Sequence, residues 1–181
     1  MKYRELTPEE LEHTPDYNLE YEMYKDIRDS LTVFFELYGV KATVYITDKG
    51  YPEEIKNLYA REIDILGQDM HPDLMAVYKD QSGKLSLLVV EAKKNHLTIK
   101  DIAQGKMYGD IFKAKAVLMV APYDLRKSIK DYYGFNKRIM TYNCDKTVYA
   151  IKLENKKLQI QNAFPVISGD LLWWLTQKHI F

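Results

Sequence analysis

Three residues in the stretch HPDLMAVYKDQSGKLSLLVVEAKK, residues 71–94, have the types and spacing to act together. Glu91 and Lys93 close the apolar run Leu87, Leu88, Val89, Val90. In an extended chain side chains alternate, so positions 87, 89, 91 and 93 share one face and 88, 90 and 92 the other. Both faces are apolar before Glu91, the pattern of a central strand covered on two sides. A carboxylate and an ammonium ending such a strand each lose several kcal/mol of hydration unless something compensates them. Asp73 opens the preceding strand, directly after Pro72, whose missing amide donor is tolerated at a strand's beginning. With a turn near Gln81 to Gly83, the two strands form an antiparallel hairpin and Asp73 arrives across from Glu91. Two carboxylates converging with water and a backbone carbonyl make the hard oxygen shell that Mg2+ favours. Lys93 beside them is placed to orient, or help deprotonate, a bound water.

Helical geometry selects a third acid. At about 100° per residue, Glu20 falls within about 60° of Met23, Tyr24, Ile27, Leu31, Phe34 and Tyr38. It therefore lies on the apolar face, where a carboxylate needs a partner. Glu22 lies about 200° away, grouped with Asp26 and Asp29 on the solvated side.

The elements that must position these residues alternate along the chain. Thr7, Pro8 and Glu10 read as a capped first turn, and Asp16 as the cap of a longer helix ending near Tyr38 at Gly39. VKATVYIT alternates as a strand, a helical turn is expected around Pro52, and REIDIL reads as a second strand. DLMAVYK and KLSLLVVEAK follow as the hairpin. A helix over about Thr98 to Phe112 precedes the buried strand KAVLMVAP, and DLRKSIKDYYG reads as a helix ending at Gly134. RIMTYN, TVYAIKL and KLQI read as short strands, and SGDLLWWLTQKHI as a terminal helix capped by Ser168, with Trp173 and Trp174 as its anchors. The sum is an α/β chain with a central mixed β-sheet flanked by helices.

The chain has 181 residues, enough for one domain over residues 1–181 with a sizeable core. It shows no apolar run of the about 18 to 20 residues that a membrane helix requires and no apolar amino-terminal signal segment, so a cytoplasmic protein with no membrane partner is expected. One cysteine, Cys144, forms no internal disulfide, and four scattered histidines lack zinc-site spacing. The formal net charge of zero conceals a division: residues 1–92 hold 10 Lys/Arg against 19 Asp/Glu, whereas residues 93–138 hold 11 against 4. The junction falls at Glu91 and Lys93. A basic segment of this kind can contact phosphates or form solvated helix faces, and charge alone leaves both open.

PD before one strand and ExK closing the next resemble the PD-(D/E)XK nuclease superfamily with its restriction-endonuclease-like core. The resemblance runs over about residues 17–121, in the order helix, three strands, helix, strand, and leaves about 122–181 as a carboxy-terminal elaboration. In the helix after the lysine, QGKMY places Gln104 and Tyr108 one turn apart, similar to the Q-x-x-x-Y motif of RecB-like nucleases. The resemblance implies Asp73, Glu91 and the Ala92 carbonyl as ligands of Mg2+, for which Mn2+ substitutes, with Lys93 as the catalytic lysine. Glu20 matches the helical acid and joins the catalytic residues and the metal ligands, and Gln104 and Tyr108 sit beside the nucleic acid. The implied activity is metal-dependent hydrolysis of DNA phosphodiester bonds, and a homodimer is a further implication.

The chain departs from large RecB-like proteins in lacking their long additions. Asp64 in REIDIL rivals Asp73 for the acidic position, although no proline precedes it, and His71 could serve as an outer group at the site. The plainer readings are a surface ion pair for Glu91 and Lys93, and a helix face packed on the sheet for Gln104 and Tyr108. A non-catalytic nucleic-acid-binding or assembly protein on a nuclease-like scaffold is the alternative function, and base stacking by the tryptophans has no support.

Overall fold

Alternating and continuous apolar runs supply the strands, and the helices fold onto both faces of the sheet they form. The computed structural model of the chain describes residues 17–67, 69–80, 82–143 and 145–166. The expected turn at Thr7 to Glu10, the Asp16 cap, Cys144 and the terminal segment with Ser168, Trp173 and Trp174 lie outside the described residues.

Helix α1 (Tyr21–Leu37) buries Met23, Tyr24, Ile27, Leu31 and Phe35, one stripe of an amphipathic helix. Phe34 is only partly buried and Tyr38 is exposed, so the stripe drifts from the one expected at its end. Gly39 stops the helix at φ 68°, its N–H donating to the Glu36 carbonyl at 2.9 Å. Strands β1 (Ala42–Ile46), β2 (Leu74–Lys79) and β3 (Leu85–Ala92) form an antiparallel meander in which Ile46 faces Leu74 and Leu74 faces Val90. At the β2–β3 turn Asp80 Oδ1 accepts the N–H groups of Ser82 and Lys84, and Gly83 takes φ 78°.

Helix α2 (Glu53–Leu66) corrects the strand expected at REIDIL. Its apolar contacts come from Ile55, Tyr59, Ile63 and Leu66, a helical spacing, whereas Ile65, which suggested alternation with Ile63, is exposed. Asp64 is exposed on this helix, so it is no rival at the strand end.

Helix α3 (Ile99–Ile111) begins with a reciprocal cap between Thr98 and Asp101 and crosses over to β4 (Ala116–Ala121), which runs parallel to β3. Gly105 and Gly109 let α3 lie against β4: an added Cβ would come within 2.6 Å of Met119 Sδ at Gly105, and within 2.7 Å of the Tyr142 ring at Gly109. After α4 (Lys127–Phe135), RIMTYN divides into a 3-10 turn at Lys137–Met140 and a two-residue strand β5 (Thr141–Tyr142). Strand β6 (Lys146–Glu154) lies parallel to β4, and KLQI gives β7 (Lys157–Leu158) followed by a 3-10 turn at Ile160–Asn162. The short strands fall where side-chain alternation lasts only two residues.

The described residues thus form a mixed sheet of order β1-β2-β3-β4-β6-β5, with β7 also paired to β6, and four flanking α-helices. Leu88, Val90, Ala92, Leu118 and Val120 face α1, while Leu87, Val89, Val117, Met119 and Ala121 face the side covered by α2, α3 and α4. Burial on both faces explains why β3 and β4 read as continuous apolar runs. Among the described residues no helix is long and apolar enough to cross a membrane.

Candidate active site

The hairpin delivers Asp73 to the end of β3, as its spacing requires. Extending the register from Leu74 and Val90 sets Pro72 opposite Ala92. Proline has no N–H to give the Ala92 carbonyl, so the ladder cannot close there. Side chains take over: Ala92 N–H donates to Asp73 Oδ2 at 2.7 Å, and Asp73 N–H donates to Glu91 Oε1 at 3.3 Å. Each carboxylate is therefore held by the strand that carries the other. On the far side of this junction, Thr47 Oγ1 donates to the Pro72 carbonyl and Thr47 N–H to the Asp73 carbonyl at 2.8 Å.

Lys93 Nζ donates to Glu91 Oε2 at 3.3 Å and stands 3.9 Å from Glu20 Oε2. Glu20, expected among the metal ligands, reaches the cluster through this lysine and not beside Asp73 and Glu91 as a third ligand. It occupies the N-cap position of α1 and precedes the helix interior expected for it, where the partial positive charge of the helix start favours a carboxylate.

Three carboxylates thus gather around one ammonium, and their burial is unequal. The Glu91 side chain is 2% exposed, Lys93 18% and Glu20 37%. Burial, reinforced by the Asp73 carboxylate and opposed by Lys93, raises the Glu91 carboxyl to about 8. Burial also raises Asp73, against the Tyr24 and Ala92 hydrogen bonds that favour its charged form. For Lys93 burial disfavours the charge, but Glu91, Asp73 and Glu20 outweigh it and the ammonium is held above its ordinary range. Lys93 therefore stays protonated at neutral pH, which suits it to donate hydrogen bonds and stabilise negative charge.

Helix α3 places the other expected pair at the wall of this site. Tyr108 is buried and its hydroxyl donates to the His71 carbonyl at 3.2 Å, with Gln104 Nε2 3.5 Å from the same hydroxyl. His71 contributes its backbone, and its ring meets Tyr51 edge-on at 5.8 Å. Sequence reasoning passed over Tyr24, whose hydroxyl donates to Asp73 Oδ1 at 2.7 Å. The signal was present: Tyr24 follows Glu20 by one helical turn, and a tyrosine on an apolar helix face needs a partner for its hydroxyl.

The donors available to a cation are the oxygens of Asp73 and Glu91 and the Ala92 carbonyl. Among the described residues no three His, Cys, Asp or Glu side chains converge as a ready ligand set. Asp73 and Glu91 would offer a hard divalent cation two carboxylates, and its charge would offset the burial and, after it, the Asp73 carboxylate that raise Glu91. In comparisons with known proteins, no family model and no curated protein matches the chain.

Proposed function

We propose that the protein is a magnesium-dependent nuclease hydrolysing DNA phosphodiester bonds at the Asp73, Glu91 and Lys93 site. The observation that carries this reading is the interlocking of Asp73 and Glu91 at one sheet edge with Lys93 beside them. The element order adds support. Helix α1, the antiparallel β1-β2-β3 meander, crossover helix α3 and parallel β4 follow the order of a restriction-endonuclease-like core, with α2 inserted between β1 and β2. On this reading Asp73, Glu91 and the Ala92 carbonyl would hold Mg2+ or Mn2+, which when bound would supply Lewis acidity toward a water and the phosphate. Tyr24 and the Ala92 amide fix Asp73, while Lys93 donates to the phosphoryl oxygens as their charge grows. Glu20 keeps Lys93 on the site side of α1. Exposed Lys100, Arg126, Lys127, Lys130, Lys137 and Arg138 lie on or beside α3 and α4, in the basic segment after the site, and suit a polyanionic partner.

Incubation of the purified protein with DNA and Mg2+ tests the proposal. Cleavage is expected, and Asp73→Ala or Lys93→Ala should each lower it by about 10²-fold to 10³-fold or more with the circular dichroism spectrum unchanged. Activity surviving both substitutions would overturn the assignment. Salt-sensitive DNA binding with no cleavage by the unaltered protein would favour the non-catalytic binding alternative.

A further inference from the structure

Tyrosines aside, the buried polar or charged side chains among the described residues are Thr47 and Glu91. Both lie at the junction that carries Asp73, and Thr47 meets it from the far side. Residues 70–73, which lead into β2, have no helix or strand of their own, so their carbonyls need donors from elsewhere. All four are supplied. Met70 accepts from the Tyr51 hydroxyl at 3.0 Å, His71 from the Tyr108 hydroxyl at 3.2 Å, Pro72 from the Thr47 hydroxyl, and Asp73 from the Thr47 N–H at 2.8 Å.

Three of these bonds come from the loop between β1 and α2. Thr47 directly follows β1, and its carbonyl accepts the Gly50 N–H at 3.0 Å, with Gly50 at φ 128°. This turn hands the chain to Tyr51, whose ring meets His71 at 5.8 Å and Phe112 at 6.1 Å. The amide bond of Thr47 would survive most substitutions, because every residue except proline carries an N–H. The hydroxyl is the part that residue type decides, and valine copies the shape of threonine without it.

We infer that Thr47, with Tyr51 behind it, is a positioning residue for the Asp73 carboxylate. The inference rests on the reading of Asp73 and Glu91 as a cation site, and it assigns their mutual placement to a loop that supplies no group to that site. The two Thr47 bonds fall on the two planar peptide groups that flank the Asp73 α-carbon, one on each side. Together they fix the direction in which the Asp73 side chain leaves the chain. The N–H of the first of these peptides donates to Glu91 Oε1 at 3.3 Å, opposite the carbonyl that Thr47 holds, so the same clamp orients the donor that Glu91 accepts. The Tyr24 hydroxyl and the Ala92 N–H then take one oxygen of Asp73 each. A ligand carboxylate works only when held within about 0.5 Å of its productive geometry, and this clamp acts from behind to set it.

The Ala92 N–H, 2.7 Å from Asp73 Oδ2, reports where that carboxylate stands before any metal is added. In amide NMR spectra of the metal-free protein, Thr47→Val should move the Ala92 proton upfield as this bond lengthens, and Thr47→Ser should leave it in place. In calorimetric titrations Thr47→Val should bind Mn2+ about tenfold more weakly, and Thr47→Ser as tightly as the unaltered protein. Thr47→Ser loses a buried methyl group and should melt about 2–4 °C lower. A role in stability alone would lower the melting temperature of both variants with the Ala92 proton and the Mn2+ affinity unchanged, and that result would overturn the positioning role. Tyr51→Phe keeps the ring and removes one hydroxyl, and should shift the Ala92 proton in the same direction by less. Should Thr47→Val not fold, an unmoved Ala92 proton in Tyr51→Phe would overturn the role equally. Absence of Mn2+ binding by the unaltered protein would remove the cation reading and leave the clamp, read by the Ala92 proton, intact.

Discussion

The carboxyl ends of β3 and β6 carry the same residue types on the same face of one sheet. At β6, Lys152 lies 2.7 Å from Glu154 and 3.8 Å from Asp124, whose side chains are 38% and 76% exposed. At β3, Lys93 lies 3.3 Å from Glu91, whose side chain is 2% exposed. Water screens the first cluster, and pairs of that kind contribute about 0–1 kcal/mol. At the second, burial and the Asp73 carboxylate outweigh Lys93, so Glu91 resists ionisation. The contrast teaches that the charged residue types matter less than the cover placed over them by α1, α3 and the flanking strands.

The largest expected effect tests that cover through pH. Glu91 binds its proton more tightly when folded, with its carboxyl raised from 4.5 to about 8. The stabilisation present below pH 4.5 is therefore lost as pH rises to about 8, with Asp73 acting in the same direction. Urea titrations of the metal-free protein should show stability falling between pH 5 and pH 8, by at most about 1.4 kcal/mol per pH unit for each group. Glu91→Gln, which imitates the protonated acid, should flatten the slope and stabilise the metal-free protein at pH 8. A slope unchanged by this substitution would erase the distinction between the two clusters.

Tyr24→Phe sharpens the same contrast. Removing the hydroxyl frees Asp73 Oδ1, and a calorimetric titration with Mn2+ should show affinity reduced about tenfold. The smallest effect belongs to the solvated cluster, where Lys152→Met should change thermal stability by less than about 1 kcal/mol and leave the pH slope as it was.

Much of the β3 site was legible because its signals are local. Period-two alternation put Glu91 and Lys93 on one face, Pro72 marked a strand start, and the turn at Gly83 fixed which acid faced which strand end. Helical geometry singled out Glu20, although α1 begins at Tyr21 and Glu20 stands at its N-cap position without a capping hydrogen bond. REIDIL misled because Ile63 and Ile65 alternate over too short a span to outweigh the helical spacing of Tyr59, Ile63 and Leu66, in a helix that kinks at Tyr59. Tyr24 signals in the sequence that its hydroxyl needs a partner but not which one, and Thr47 signals nothing, because their partners, Asp73 and the Pro72 carbonyl, are 49 and 25 residues away in the chain. Gly105 and Gly109 look like weak points of a helix until β4 is seen against them.

The central claim is that Asp73 and Glu91 form one cation site. A crystal soaked in Mn2+, with diffraction recorded at the manganese absorption edge, tests it most directly. The account predicts an anomalous peak between the two carboxylates and beside the Ala92 carbonyl, absent from Asp73→Ala crystals. A crystal in which Mn2+ binds elsewhere on the chain, with Asp73 and Glu91 keeping their bonds to each other's strands, to Tyr24 and to Lys93, would contradict it.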